Sequence, residues 1–133
     1  MQLTIFTDYG LRSLMYVAAH ADRRCSVREI ADYYKISRNH LVKVVHRLAQ
    51  LGYIDSSKGK GGGIRLATDP NQLKLGDLIQ KLEPNMHLVE CFNKDTNSCR
   101  ITNTCKLRHC LTDARQAFIT SLNKQTLADI LHS

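Results

Sequence analysis

Two helices that begin at Ser26 and Ser37 leave this chain little choice of fold. Ser26 is followed three residues later by Glu29, the pairing of a capping box, and it opens a short helix over roughly Val27 to Tyr34 with Val27, Ile30 and Ala31 inward. Lys35 and Ile36 make a tight connection. Ser37 then caps a second helix in which Leu41, Val44, Val45 and Leu48 form an apolar stripe, continued by Leu51 and stopped by Gly52. Arg38, Asn39, His40, Lys43, His46, Arg47 and Gln50 occupy the opposite side. Two short helices across a tight turn, the second basic on its outer face, are the helix-turn-helix arrangement that places a recognition helix in the major groove.

The segments on either side extend this plan. Tyr53-Ile54 and Ile64-Arg65-Leu66 are short strand candidates joined by the basic, glycine-rich stretch Asp55 to Gly63, which reads as a wing. It is not a phosphate-cradling loop, since the G-x-x-x-x-G-K-[ST] pattern is absent and no helix follows. Upstream, Thr7 is a candidate cap for a helix with Leu11, Leu14, Met15 and Ala18 on one face, ending near Ala21. Downstream, Leu75, Leu78, Ile79 and Leu82 give another helix ended by Pro84, and Leu107, Leu111, Ala114, Phe118 and Leu122 give a long one with a nearly coiled-coil stripe. The expected architecture is mainly α: a winged helix-turn-helix DNA-binding domain over residues 1–70, then residues 71–133 carrying a cysteine loop and a long C-terminal dimerisation helix.

Charge agrees with a nucleic-acid partner. Of a formal net charge of +7, most lies between Lys35 and Arg65, where seven basic residues face one acidic residue, Asp55. Arg38, Asn39, His40 and Lys43 fall in the first turns of the recognition helix, where side chains meet base edges. Arg47, Lys58 and Lys60 are better placed for phosphates or the minor groove, contacts that fix position more than sequence. The start of the chain lacks a basic region followed by an apolar run, and no segment approaches the roughly 20 apolar residues of a membrane span, so a cytoplasmic location is expected.

That compartment governs the reading of the cysteines. Cys91, Cys99, Cys105 and Cys110 follow one another as C-x7-C-x5-C-x4-C, too irregular for the paired knuckles of a zinc ribbon. In a reducing compartment clustered thiols point to metal binding or redox chemistry rather than disulfides. Thiolate-rich sites select zinc or iron-sulfur clusters, and open spacing on a polar loop, about Glu90 to Thr104, favours the cluster. Cys110 falls within the start of the long helix, where it is either a further ligand or a helix-packing thiol, and Cys25 reads as a core thiol. No C-x-x-C, nucleophile elbow or HExxH is present, so no enzyme is expected.

The opening Leu3-Thr-Ile-Phe-Thr-Asp-Tyr-Gly10-Leu-Arg, the helix Ser37-Arg-Asn-His-Leu-Val-Lys43, the wing Lys58-Gly-Lys-Gly-Gly-Gly-Ile64, and Leu82-Glu-Pro84 followed by three cysteines together resemble the NsrR-type iron-sulfur repressors. These belong to a winged-helix family that also includes IscR. The resemblance spans nearly the whole chain. It implies a homodimer with one iron-sulfur cluster per subunit, [2Fe-2S] or [4Fe-4S], bound to a palindromic operator in double-stranded DNA, with nitric oxide as signal. It matches Cys91, Cys99 and Cys105 to the three cysteine ligands, and Asp8 to a carboxylate ligand supplied from the partner subunit. The sequence departs from the pattern in the long first interval and in Cys110. The alternative within the same family is an IscR-like sensor of cluster supply or redox state, for which His109 is the ligand to test. A zinc-stabilised constitutive DNA binder is the alternative outside it.

Overall fold

A computed structural model describes residues 1–132 of the chain. Five helices, α1 (Ile5–Ala19), α2 (Val27–Tyr34), α3 (Arg38–Gln50), α4 (Leu75–Leu82) and α5 (Lys106–Leu122), accompany a two-stranded sheet of β1 (Ile54–Ser57) and β2 (Gly63–Leu66). The expected mainly helical winged helix is what forms.

Helix starts follow their caps. The Ser26 hydroxyl accepts from the Glu29 amide at 3.0 Å and Glu29 Oε1 accepts from the Ser26 amide at 2.6 Å, closing the capping box. Ser37 caps α3 through the His40 amide. The first helix begins earlier than expected. Thr4, not Thr7, is its cap, accepting from the Thr7 amide at 3.2 Å. Thr7 lies inside the first turn, fully buried, because its hydroxyl has a distant partner in the carboxylate of Glu83. The helix also stops at Ala19, where the His20 amide closes onto the Tyr16 and Val17 carbonyls.

The strands pair antiparallel from Ile54 opposite Leu66 to Ser57 opposite Gly63, so the wing tip is residues 58–62 and Tyr53 stands just outside the ladder. A 3-10 turn at Pro70–Gln72 leads into α4, whose cap position, Lys74, offers no side-chain acceptor. The acceptor comes from α5 instead. Asn123 Oδ1 takes the Asp77 amide at 3.0 Å while Asn123 Nδ2 donates to Asp77 Oδ1 at 3.1 Å. Gly76 makes this approach feasible, since a Cβ there would stand 2.4 Å from Asn123 Oδ1 and 2.6 Å from the Ile119 carbonyl.

One core runs through the molecule. Leu14, Ile30, Leu41, Leu48, Ile54 and Ile64 of the winged helix share a continuous apolar cluster with Leu78, Leu82 and Leu127. The division expected at residue 70 is therefore not a division of the core. Leu127 comes from a tail with no periodic pattern of its own: it pairs with the stretch before α4, through Leu127 N to Leu73 O at 2.8 Å and Leu75 N to Gln125 O at 3.0 Å, then forms a 3-10 turn, Ala128–His132. By contrast α5 buries fully only Ile119, and Leu107 in its first turn is 64% exposed. Leu111, Phe118 and Leu122 are half-buried, so the apolar stripe of α5 is only partly covered within the chain.

Candidate nucleic-acid interface and cysteine loop

Helix α3 turns its buried stripe, Leu41, Val44, Val45 and Leu48, onto α1 and α2 and leaves a polar strip outward. Arg38, Asn39, Lys43 and Arg47 are exposed on that strip, as expected. His40 is not. It is half-buried, edge-on to the Tyr9 ring of α1 with centroids 5.1 Å apart, which puts it on the flank facing α1. Arg47 borders a hollow shared with Phe6 and Lys81, so it stands on the side toward α1 and α4. The outward strip also includes two residues that charge alone does not single out: Val42, 53% exposed, and His46. Their signal was positional, one and two turns beyond Arg38 at helical spacing.

The wing is rigid at its base and open at its tip. Cys25 and Ile64 exchange two backbone hydrogen bonds of 2.8 and 2.7 Å, tying the residue before the α2 cap to β2. Arg24 adds a side-chain tie to the Gly63 carbonyl and to Asp55. Gly63 has φ +130°, and a Cβ there would lie 2.7 Å from the Cys25 carbonyl oxygen, so a side chain would push the wing off α2. Burial pushes the Cys25 thiol up, in keeping with a core thiol. Lys58 and Lys60 are exposed on the tip. Between α3 and the wing runs a cleft of about 570 Å³, with Val42, His46 and Ala49 on one wall and Ser56, Ser57 and Lys58 on the other.

The cysteine segment is a loop, broken by a 3-10 turn at Glu90–Phe92 that carries Cys91. Its own polar side chains shape it. Glu90 Oε2 accepts from the Ser98 amide and hydroxyl at 3.4 and 3.3 Å, which sets the neighbours of Cys91 and Cys99 side by side despite the long interval between them. Asn97 Oδ1 accepts from the Cys99 amide at 3.1 Å. Arg115 of α5 stacks over Phe92, its guanidinium carbon 4.3 Å from the ring centroid, and donates to the Met86 carbonyl at 3.1 Å. Cys105 caps α5, accepting from the Arg108 amide at 3.4 Å. All five cysteines are free thiols; Cys99 and Cys110 are exposed, and Cys91 and Cys105 half-buried.

Asp8 is held elsewhere. Its carboxylate takes a two-pronged salt bridge from Arg12, 3.1 Å to Nε and 2.8 Å to Nη2. Among the described residues no three His, Cys, Asp or Glu side chains stand close enough to hold one metal ion. The thiols thus share a loop without converging on a point, and Asp8 does not join them within the chain.

Residues 3–133 match the Rrf2 model, described as an iron-dependent transcriptional regulator. The chain belongs to the Rrf2 family. It is 44% identical over 132 residues to the HTH-type transcriptional regulator NsrR of Bacillus subtilis strain 168, covering 98% of this chain and 90% of that protein. It is 45% identical over 132 residues to NsrR of Halalkalibacterium halodurans, with 98% and 90% covered. The fold is similar to that of T. potens IscR, with a TM-score of 0.79 at 22% identity over 99% of this chain and 87% of that one. As an Rrf2 regulator the chain is a DNA-binding transcription factor, not an enzyme.

An iron-sulfur group fits this Rrf2 chain's donor set. Three soft thiols stand on one accessible loop, the third on a helix N-terminus where the amides favour negative charge. Arg108 Nε, one turn from Cys105, is buried with no acceptor, a free donor in the same turn. No helix among the described residues is long and apolar enough to cross a membrane.

Proposed function

We propose that this chain is a homodimeric repressor of the NsrR type, in which Cys91, Cys99 and Cys105 hold one iron-sulfur cluster per subunit and nitric oxide relieves repression at a palindromic operator. One observation carries the reading: three free thiols lie on a single loop whose turns are fastened to α5, the helix with the unpartnered apolar stripe. A bound cluster supplies iron that reacts with nitric oxide. The chain does the rest. Cys105 anchors the site to the start of α5, the Glu90 to Ser98 hydrogen bonds hold the Cys91 and Cys99 segments together, and Asp8 reaches across the dimer as fourth ligand on leaving Arg12.

Arg38, Asn39 and Lys43 read bases, with Arg47, Lys58 and Lys60 on phosphates and His40 supporting α3 through Tyr9. Two such helices must lie about one helical turn of DNA apart, roughly 34 Å, so a dimer whose subunits are no longer tied loses register. A loss of ~3 kcal/mol of specific binding lowers affinity more than a hundredfold. The test is anaerobic reconstitution with iron and sulfide, followed by operator binding before and after nitric oxide. The reconstituted protein is expected to be coloured, with an absorption spectrum that distinguishes [2Fe-2S] from [4Fe-4S], and to release the operator on treatment. Colour retained by Cys99→Ser, or an operator affinity unchanged by nitric oxide, would reject the reading. Loss of the native spectrum in His109→Ala, but not in Asp8→Ala, would move it to the IscR-like alternative.

A further inference from the structure

Val42 breaks the chemistry of the surface it occupies. Every other exposed residue of α3 is polar or charged, yet Val42 sits in the middle of the strip, one turn beyond Arg38 and one turn before His46, and is 53% exposed. It is not needed for packing, since Leu41, Val44, Val45 and Leu48 already close the interior. It forms one wall of the cleft facing Ser56, Ser57 and Lys58 of the wing. A β-branched side chain is stiff at χ1, so this apolar knob is presented in a fixed direction.

We propose that Val42 is a sequence-reading residue that packs on the C5-methyl group of a thymine at the wing-side edge of the major groove. The inference rests on the reading of α3 as recognition helix. Thymine is the one base that offers an apolar group in that groove, and apolar side chains recognise it by contact rather than by hydrogen bonding. The surroundings suit this. Arg38 and Asn39 supply the hydrogen-bonding neighbours, and Lys58 with the Ser56 and Ser57 hydroxyls lies across the cleft, donors suited to the phosphates beside that base. Burying one methyl group against Val42 is worth about fourfold in affinity.

The probe is a duplex oligonucleotide selected from a random-sequence pool by the anaerobically reconstituted, coloured protein, then resynthesised with deoxyuridine at each thymine in turn. Deoxyuridine keeps the base pair and removes only the methyl. For the unaltered protein one thymine per half-site is expected to lose about fourfold on replacement, and Val42→Ala is expected to lose a similar factor and to become indifferent to that replacement. Val42→Ala should retain its helical circular dichroism, since alanine is the better helix former. If the pool yields no preferred sequence, α3 is not a recognition helix and the functional reading itself fails. If a preferred sequence emerges but no deoxyuridine matters, or the same one matters equally in Val42→Ala, the role assigned to Val42 is wrong.

Discussion

Glu29 does more than close a capping box. Its carboxylate also takes both Arg23 guanidinium arms, at 2.9 and 2.8 Å, and the Tyr16 hydroxyl at 3.0 Å, so four donors from three places meet at the start of α2. The Arg23 hydrogen bonds lead in holding this carboxyl down at about 2, against an ordinary 4.5. A folded value below the unfolded one gives stability that is complete above about pH 4.5 and drains away as pH falls toward 2. Thermal unfolding of the unaltered protein and of Glu29→Gln should therefore differ at neutral pH and converge on acidification; a gap that persists to low pH would mean the charge is irrelevant. Glu83 moves the same way and is common to both proteins: burial raises its carboxyl, but donors from Thr4 and Thr7 outweigh that and leave it below the usual range. At this scale the sequence was readable where partners are local. Ser26 with Glu29 and Ser37 with α3 needed only their neighbours, whereas Thr7 was mistaken for a cap because its true partner is 76 residues away. The contact of His40 with Tyr9 is invisible in the sequence, because no spacing rule shows that Tyr9 lies against it.

Among the elements, α5 is the one whose burial does not account for its sequence. Leu107, Leu111, Ala114 and Phe118 follow spacings of four, three and four, yet only Ile119 is fully buried, on the side that meets α4. Leu107→Glu puts a charge on that open stripe without touching the core. Sedimentation should show the full chain shifting from dimer to monomer with its helical content intact, and operator affinity should fall because two linked half-sites are lost. A variant that remains dimeric would place the subunit contact elsewhere. The stripe was legible from periodicity. The Leu73 to Leu127 pairing was not, since a bridge between the chain near α4 and a short tail leaves neither a helical nor an alternating pattern. In the cysteine loop the sequence identified the thiols but not their spacing in space, which depends on the Glu90 to Ser98 contact across the long interval.

Over the whole molecule, charge and fold act together: the basic face of α3 and a basic wing tip share one base, in which the Cys25 to Ile64 bridge ties the wing to the segment before α2. Lys58 and Lys60 are expected to bind phosphates, so removing both from each subunit as Lys58→Ala and Lys60→Ala should reduce the slope of log affinity against log salt by about four, one for each lost contact, while leaving sequence preference unchanged. An unaltered slope would take the wing tip off the DNA. Glu83 has a different consequence at this scale. It ends α4 and at the same time accepts from the Thr4 amide and hydroxyl and from the Thr7 hydroxyl, so the chain leaves α4 from a point fastened to the first turn of α1. Its far end, Cys105, is fixed by α5, itself joined to α4 through Asn123. The stretch between them is a cord of set length, pinned at both ends and held in between by Arg115 on Met86 and Phe92. Drawing any of its cysteines together takes up slack, and the shortening is borne at Glu83, at the Arg115 contacts and at Cys105, so it is passed to the root of α1 and to the length of α5.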